Sequence, residues 1–234
     1  MTTVLRNLDK DKIKVVYFSK PEIIRKVSSN KKYFKYLKNE KQGLSWYNSN
    51  IKKENSITSC VNNKDFSYID IKFYKGRKKK FYNSILDNED ILLRAIDHYV
   101  SAWPKKKITK CHGDLTLDNI IYNDNEIRFI DWELFGLSQE VWGYDIVYLV
   151  ISSIFFPFDV NKKISKNEKK TFFKIWSKLH NLNIYDELLL NPISYFSKIY
   201  KKKHWKIAIS EHPNKIYPKS INKEFAAILK NIIS

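Results

Sequence analysis

Residues 112–119 read HGDLTLDN, and residues 120–131 continue as IIYNDNEIRFID. The continuation holds two short runs rich in β-branched and aromatic side chains, IIY (120–122) and IRFI (127–130), separated by NDNE. That composition closes a hairpin. A hairpin brings the loop before its first strand beside the end of its second, so Asp114, Asn119 and Asp131 converge at one end. Two carboxylates and an amide oxygen form a hard-oxygen site of the kind Mg2+ prefers. Mg2+ keeps waters and shares its ligands with substrate phosphates, so this small donor set points to a nucleotide-phosphate site.

Outward from this hairpin the chain changes character. Upstream, NEDILLRAIDHYVSAW (88–103) is an amphipathic helix with acidic residues at its start, where the helix dipole favours them. The front of the chain is β-rich: IKVVYF (13–18), EIIRKVS (22–28), SITSCV (56–61) and YIDIKFY (68–74) have strand composition. Between them, Phe34, Leu37, Leu44 and Tyr47 recur at helical spacing over 31–49, a helix that Gly43 weakens. Downstream, helices are expected over about 141–155, 166–180, 192–209 and 221–233. The fold class read from this order is α+β, a β-rich front followed by a helical back.

Composition narrows the function classes. With 43% hydrophobic and 15% aromatic residues in 234, the chain is a folded globule. Two cysteines, Cys60 and Cys111, give no disulfide framework and no zinc site, and fit a reducing compartment. The opening MTTVLRNLDKDK lacks the apolar core of a signal peptide. The apolar stretch IVYLVISSIFFPF (146–158) falls short of the roughly 20 residues that span a bilayer and reads as a buried helix. No transmembrane segment and a cytoplasmic location are therefore expected. The formal charge of +18 admits nucleic acid, an anionic surface or a phosphorylated substrate as partners. The basic residues are spread through a Lys-, Asn- and Ile-rich chain without a nucleic-acid motif, so no specific nucleic acid is expected, and peripheral contact with an anionic surface stays open.

His112, Gly113 and Asp114, then four residues, then Asn119, give the pattern H-x-D-x-x-x-x-N, that of a kinase catalytic loop. A strand ending in Asp131 follows where the metal-binding aspartate of a kinase belongs. With the words HGDLTLDNI and FIDWE, the sequence resembles the aminoglycoside phosphotransferase and choline kinase family, a branch of the protein-kinase-like fold acting mostly on small molecules. The resemblance implies a small β-rich N-lobe over 1–76 and a mainly helical C-lobe over 77–234. It implies ATP and Mg2+ as cofactors, Asp114 as catalytic base, and Asn119 and Asp131 as metal ligands. It implies a phosphate-holding cation on EIIRKVS, either Arg25 or Lys26, with Glu40 as its partner on the following helix, and places the adenine against IKFYKG (71–76). His112 would brace the loop and Asp145 anchor it, while Glu133 would face the acceptor or pair with a lysine.

The sequence departs from the family in two ways. No glycine precedes Gly43, so FSKPE stands where protein kinases place a glycine-rich loop, and the front lobe counts one strand too few. The function expected is transfer of the γ-phosphoryl group of ATP to a hydroxyl of a small molecule. A sugar or phosphosugar suits the positive charge. An amino alcohol such as choline would use aromatic walls, for which Trp132, Trp142, Tyr144 and Trp176 are candidates. A polycationic aminoglycoside fits poorly. The alternative is a pseudokinase-like binding scaffold with weak or no catalysis.

Overall fold

The computed structural model describes residues 2–6, 13–51, 53–78, 85–155 and 165–211. The front of the chain supplies strands β1 (Thr2–Arg6), β2 (Lys14–Ser19), β3 (Glu22–Ser28), β4 (Ile57–Asn62) and β5 (Ser67–Lys72). They form one sheet in the order β1-β2-β3-β5-β4, with every neighbouring pair antiparallel. Five strands stand where the sequence pattern yields four. The extra one, TTVLR, is a short edge strand that among the described residues pairs only with β2, and it carries no long alternating pattern.

Helix α1 (Phe34–Asn50) follows a 3-10 turn at Lys31–Tyr33 whose entry Asn30 caps, its side chain accepting from the Lys32 N–H. The helix packs on β3, β4 and β5 and continues through Gly43. A Cβ there would stand 2.7 Å from the Trp132 Cβ and 2.9 Å from the Phe135 Cβ. Glycine is thus the residue that lets α1 approach the segment following Asp131, which offsets its propensity cost of about 1 kcal/mol. Beneath α1 the rings of Tyr47, Trp103, Phe129 and Trp132 pack together, with Trp103 stacked on Trp132 at 5.6 Å and Tyr47 4.9 Å from Trp132. This buried aromatic cluster joins the sheet-bearing front to the helical back.

The back contains α2 (Ile85–Ala102), α3 (Tyr144–Phe155), α4 (Lys166–His180), α5 (Asp186–Leu190), α6 (Pro192–Tyr200) and α7 (Lys203–Glu211). Residues 146–153 of α3 are all buried, which explains the apolar run 146–151, while the Ser152 and Ser153 hydroxyls donate to the Leu149 and Val150 carbonyls. Ser165 and Glu168 form a reciprocal capping box at the start of α4. The helix expected over 192–209 is two helices broken at Lys201 and Lys202, and five-residue α5 is too short for periodicity to reveal. The helix expected over 221–233 lies outside the described residues. Between α2 and α3, β6 (Ile108–Lys110) pairs with β9 (Gln139–Val141), and β7 (Ile120–Tyr122) with β8 (Ile127–Phe129). The chain leaving β5 joins this layer, where the Arg77 N–H donates to the Tyr122 carbonyl at 2.7 Å and Tyr122 returns the bond at 3.0 Å. Among the described residues no helix is long and apolar enough to cross a membrane.

Candidate functional site

The loop between β6 and β7 is shaped by Gly113, whose φ of 87° is left-handed. A Cβ there would lie 3.0 Å from both the Cβ and the carbonyl oxygen of Leu134. The resulting turn aims two successive N–H groups at one carboxylate. His112 donates to Asp145 Oδ2 and Gly113 to Asp145 Oδ1, each at 2.9 Å. Asp145 stands in the first turn of α3 and is buried. Burial pushes its carboxyl up to about 7, against the pull of these two backbone donors. His112 braces the loop from inside: its Nδ1 accepts the Asp114 N–H at 3.3 Å and its Nε2 meets the Ile130 carbonyl oxygen at 3.0 Å. A nitrogen facing a carbonyl must donate, which puts the ring proton on Nε2.

Asp114 and Asn119 are thereby fixed against one another. The Asn119 side-chain N–H2 donates to the Asp114 carbonyl at 2.7 Å and to Asp114 Oδ2 at 3.2 Å. Its amide nitrogen is committed, so its amide oxygen is the atom it can offer a cation. The Ile130 N–H donates to the Asn119 carbonyl at 3.0 Å, which ties the loop to the end of β8. Asp131 comes next, in a left-handed conformation with φ of 65°. Aspartate tolerates that region better than most residues.

The Asp131 carboxylate meets Lys26 from β3. Lys26 Nζ lies 2.7 Å from Asp131 Oδ1, 2.9 Å from Glu40 Oε2 and 3.4 Å from Glu133 Oε1. Burial alone would push the ammonium down, but Asp131, Glu40 and Glu133 more than reverse this and hold it protonated. The Glu40 carboxyl is raised to about 7 by burial, with Lys26 pulling the other way and the two neighbouring carboxylates adding to the rise. One ligand oxygen from each of Glu40, Asp131 and Glu133 falls within 4.8 Å of the others. Three carboxylates around one lysine leave an excess of negative charge and of hard oxygen atoms. That fits a divalent cation such as Mg2+.

Of the two candidate cations on β3, only Lys26 joins this group. Arg25 faces the other side of the sheet, where its Nε and Nη2 bind both oxygens of Asp70 on β5 at 2.7 and 2.8 Å. Its guanidinium lies over the Tyr68 and Phe18 rings, 4.2 and 5.3 Å from their centroids. Arg25 is spent on this cross-strand pair. The Asn39 side chain, which donates to the Glu133 carbonyl at 3.1 Å, is a further support that no sequence pattern marked. Trp132, Trp142, Tyr144 and Trp176 are all buried in the core and offer no walls to a ligand.

Residues 74–161 match the model of the phosphotransferase enzyme family, APH. The match contains Asp114, Asn119, Asp131, Glu133 and Asp145. Over this stretch, which is under half of its length, the chain is similar to that family. No curated protein matches it. Among solved structures, the chain is similar to an amicoumacin kinase in complex with AMP-PNP, Ca2+ and Ami. The two are 12% identical, the likeness covers 99% of this chain and 86% of that one, and the TM-score is 0.53. It is also similar to an aminoglycoside-3'-phosphotransferase of type VIII, at 12% identity over 81% of this chain and 90% of that one, with a TM-score of 0.50. At such identities the likeness carries the fold, which is kinase-like: an antiparallel sheet in front and helices behind.

Proposed function

We propose that this protein is a phosphotransferase that moves the γ-phosphoryl group of ATP to a hydroxyl of a small molecule. The observation that carries this reading is Lys26, charged, buried and bound to both Glu40 and Asp131, on the strand and beside the carboxylate that kinase chemistry requires. Lys26 would hold the α- and β-phosphates, and Glu40 would keep its ammonium in place. Asn119 and Asp131 would hold Mg2+, which neutralises charge on the phosphates when bound. Asp114 would orient the acceptor hydroxyl and take its proton as the acceptor oxygen bonds to the γ-phosphorus and the bond to the ADP oxygen breaks. Arg25 has no part in this scheme.

The acceptor we favour is a sugar or phosphosugar. The +18 charge disfavours a polycation, and the aromatic residues that an amino alcohol would need are closed into the core. Dependence on ATP and two free cysteines suit the cytoplasm. The scaffold reading finds no support in a site that retains its base, its metal donors and its lysine.

Acceptor-dependent ADP release from Mg2+-ATP, screened over sugars, sugar phosphates and amino alcohols, tests the proposal. Turnover with at least one acceptor, lost about 100-fold or more in Asp114→Asn, is expected. Equal turnover in that variant, or none with any acceptor class, counts against it.

A further inference from the structure

Helix α1 presents two opposed flanks. Glu40 is buried toward Lys26. At 3.6 residues per turn, Lys38, Lys41, Gln42 and Ser45 fall on the side turned away from it, and the first three are exposed. This second flank borders an open hollow. With Trp46, with Lys110 at the end of β6 and with Phe135 after Asp131, it lines this hollow, of about 510 Å3. Small-molecule sites commonly measure about 300–1,000 Å3. None of Lys26, Glu40, Asp114, Asn119 and Asp131 lines it.

The lining has a definite chemistry. One wall is aromatic, with the Trp46 and Phe135 rings 5.3 Å apart and tilted by 40°. Phe135 is held in place by the core, while Trp46 is only partly buried, so its ring has surface left to offer. Lys110 Nζ stands 5.7 Å from the Phe135 centroid. Three lysines, Lys38, Lys41 and Lys110, share the hollow with no carboxylate among its lining residues. Other lysines of the chain do find acids: Lys174 pairs with Glu89, Lys178 with Asp97, Lys198 with Glu187 and Lys202 with Glu140. Among the described residues no such pair involves the three of the hollow. Gln42 and Ser45 add neutral hydrogen-bonding groups.

We infer that this hollow is a second binding site, for a small anion carrying a flat aromatic ring. The ring would lie on the open face of Trp46, which Phe135 backs from the core, and the anionic group would sit among Lys38, Lys41 and Lys110. The inference does not depend on the phosphotransfer reading, because it uses none of the same side chains and is read out by binding alone.

Calorimetric titration of phenyl phosphate into the full chain, without nucleotide, tests it, with inorganic phosphate as the probe for charge alone. The double variant Lys41→Gln/Lys110→Gln removes two exposed cations and should leave the unfolding midpoint unchanged. Saturable phenyl phosphate binding is expected, at least about tenfold weaker in the double variant. Inorganic phosphate should bind more weakly than phenyl phosphate to the wild type. Absence of saturable binding, full retention in the double variant, or equal binding of inorganic phosphate would each overturn the inference.

Discussion

Lys26 Nζ stands 2.7 Å from Asp131 Oδ1 although 105 residues separate them in the chain. That contact joins the sheet to the hairpin carrying the oxygen donors, and the two cations on β3 can be told apart by it. Lys26→Met leaves buried Glu40 without its counter-charge, a loss of about 3 kcal/mol in stability. It should also lower turnover at least about 100-fold. Arg25→Met breaks the pair with Asp70 on the other face and should leave turnover within about threefold of wild type. Steady-state kinetics of both variants beside their unfolding curves decide the matter. Comparable loss of activity in the two would mean that the wrong cation has been placed at the phosphates.

What the sequence discloses here, and what it withholds, has a physical basis. Strand alternation puts Arg25 and Lys26 on opposite faces but does not say which face is covered. That follows from α1 crossing the sheet and from the register pairing Arg25 with Asp70, both of which are long-range. The donors on the hairpin were legible because a tight turn relates them locally: Asp114, Asn119 and Asp131 lie within eighteen positions of one another. β1, β9 and α5 were not legible, being only 5, 3 and 5 residues long, too short for a period to emerge. The lysine hollow combines α1, β6 and the segment after Asp131, a juxtaposition no single stretch encodes.

Asp145 gathers the loop by accepting from two consecutive N–H groups. Asp145→Asn replaces one acceptor oxygen by a donor facing an N–H, and should destabilise the protein by about 2 kcal/mol. Its effect on catalysis should fall on kcat more than on the KM for ATP, since the residue positions Asp114 and has no place at the phosphates. Thermal unfolding together with separate kcat and KM values checks this. An equal effect on both parameters, without loss of stability, contradicts the positioning role.

His98 ties folding to pH. Tyr47 accepts the Phe129 N–H at 3.2 Å, so its own proton is free for the short bond to His98 Nε2. That bond requires a neutral ring. Burial, helped by the positive charge of Arg128, lowers His98 to about 4. The unfolded chain therefore takes up this proton first as pH falls, and stability should decline between about 6.5 and 4. The contribution lost is about 2 kcal/mol, at ~1.4 kcal/mol per pKa unit and discounted for the exposed part of the ring. The difference between the pH profiles of wild type and His98→Gln, from denaturant unfolding, should show this slope. Parallel profiles would contradict it.

Gly43→Val brings a branched side chain into the 2.7 Å gap before the Trp132 Cβ. α1 must move away from the aromatic cluster, at a cost of about 2–3 kcal/mol. The displacement carries Glu40 away from Lys26, so nucleotide binding should weaken along with stability. Gly43→Ala should do the same to a smaller degree. Unfolding midpoints and nucleotide affinity of both variants test this, and a stable Gly43→Val would show that α1 does not pack as described.

The most direct test of the central claim is calorimetric titration of ATP, with and without Mg2+, into the wild type and Asp131→Ala. Mg2+-dependent binding to the wild type and its loss in the variant are expected, with the variant still folded by circular dichroism. ATP binding that ignores Mg2+, or survives unchanged without the Asp131 carboxylate, would contradict a nucleotide-phosphate site built on Lys26 and Asp131.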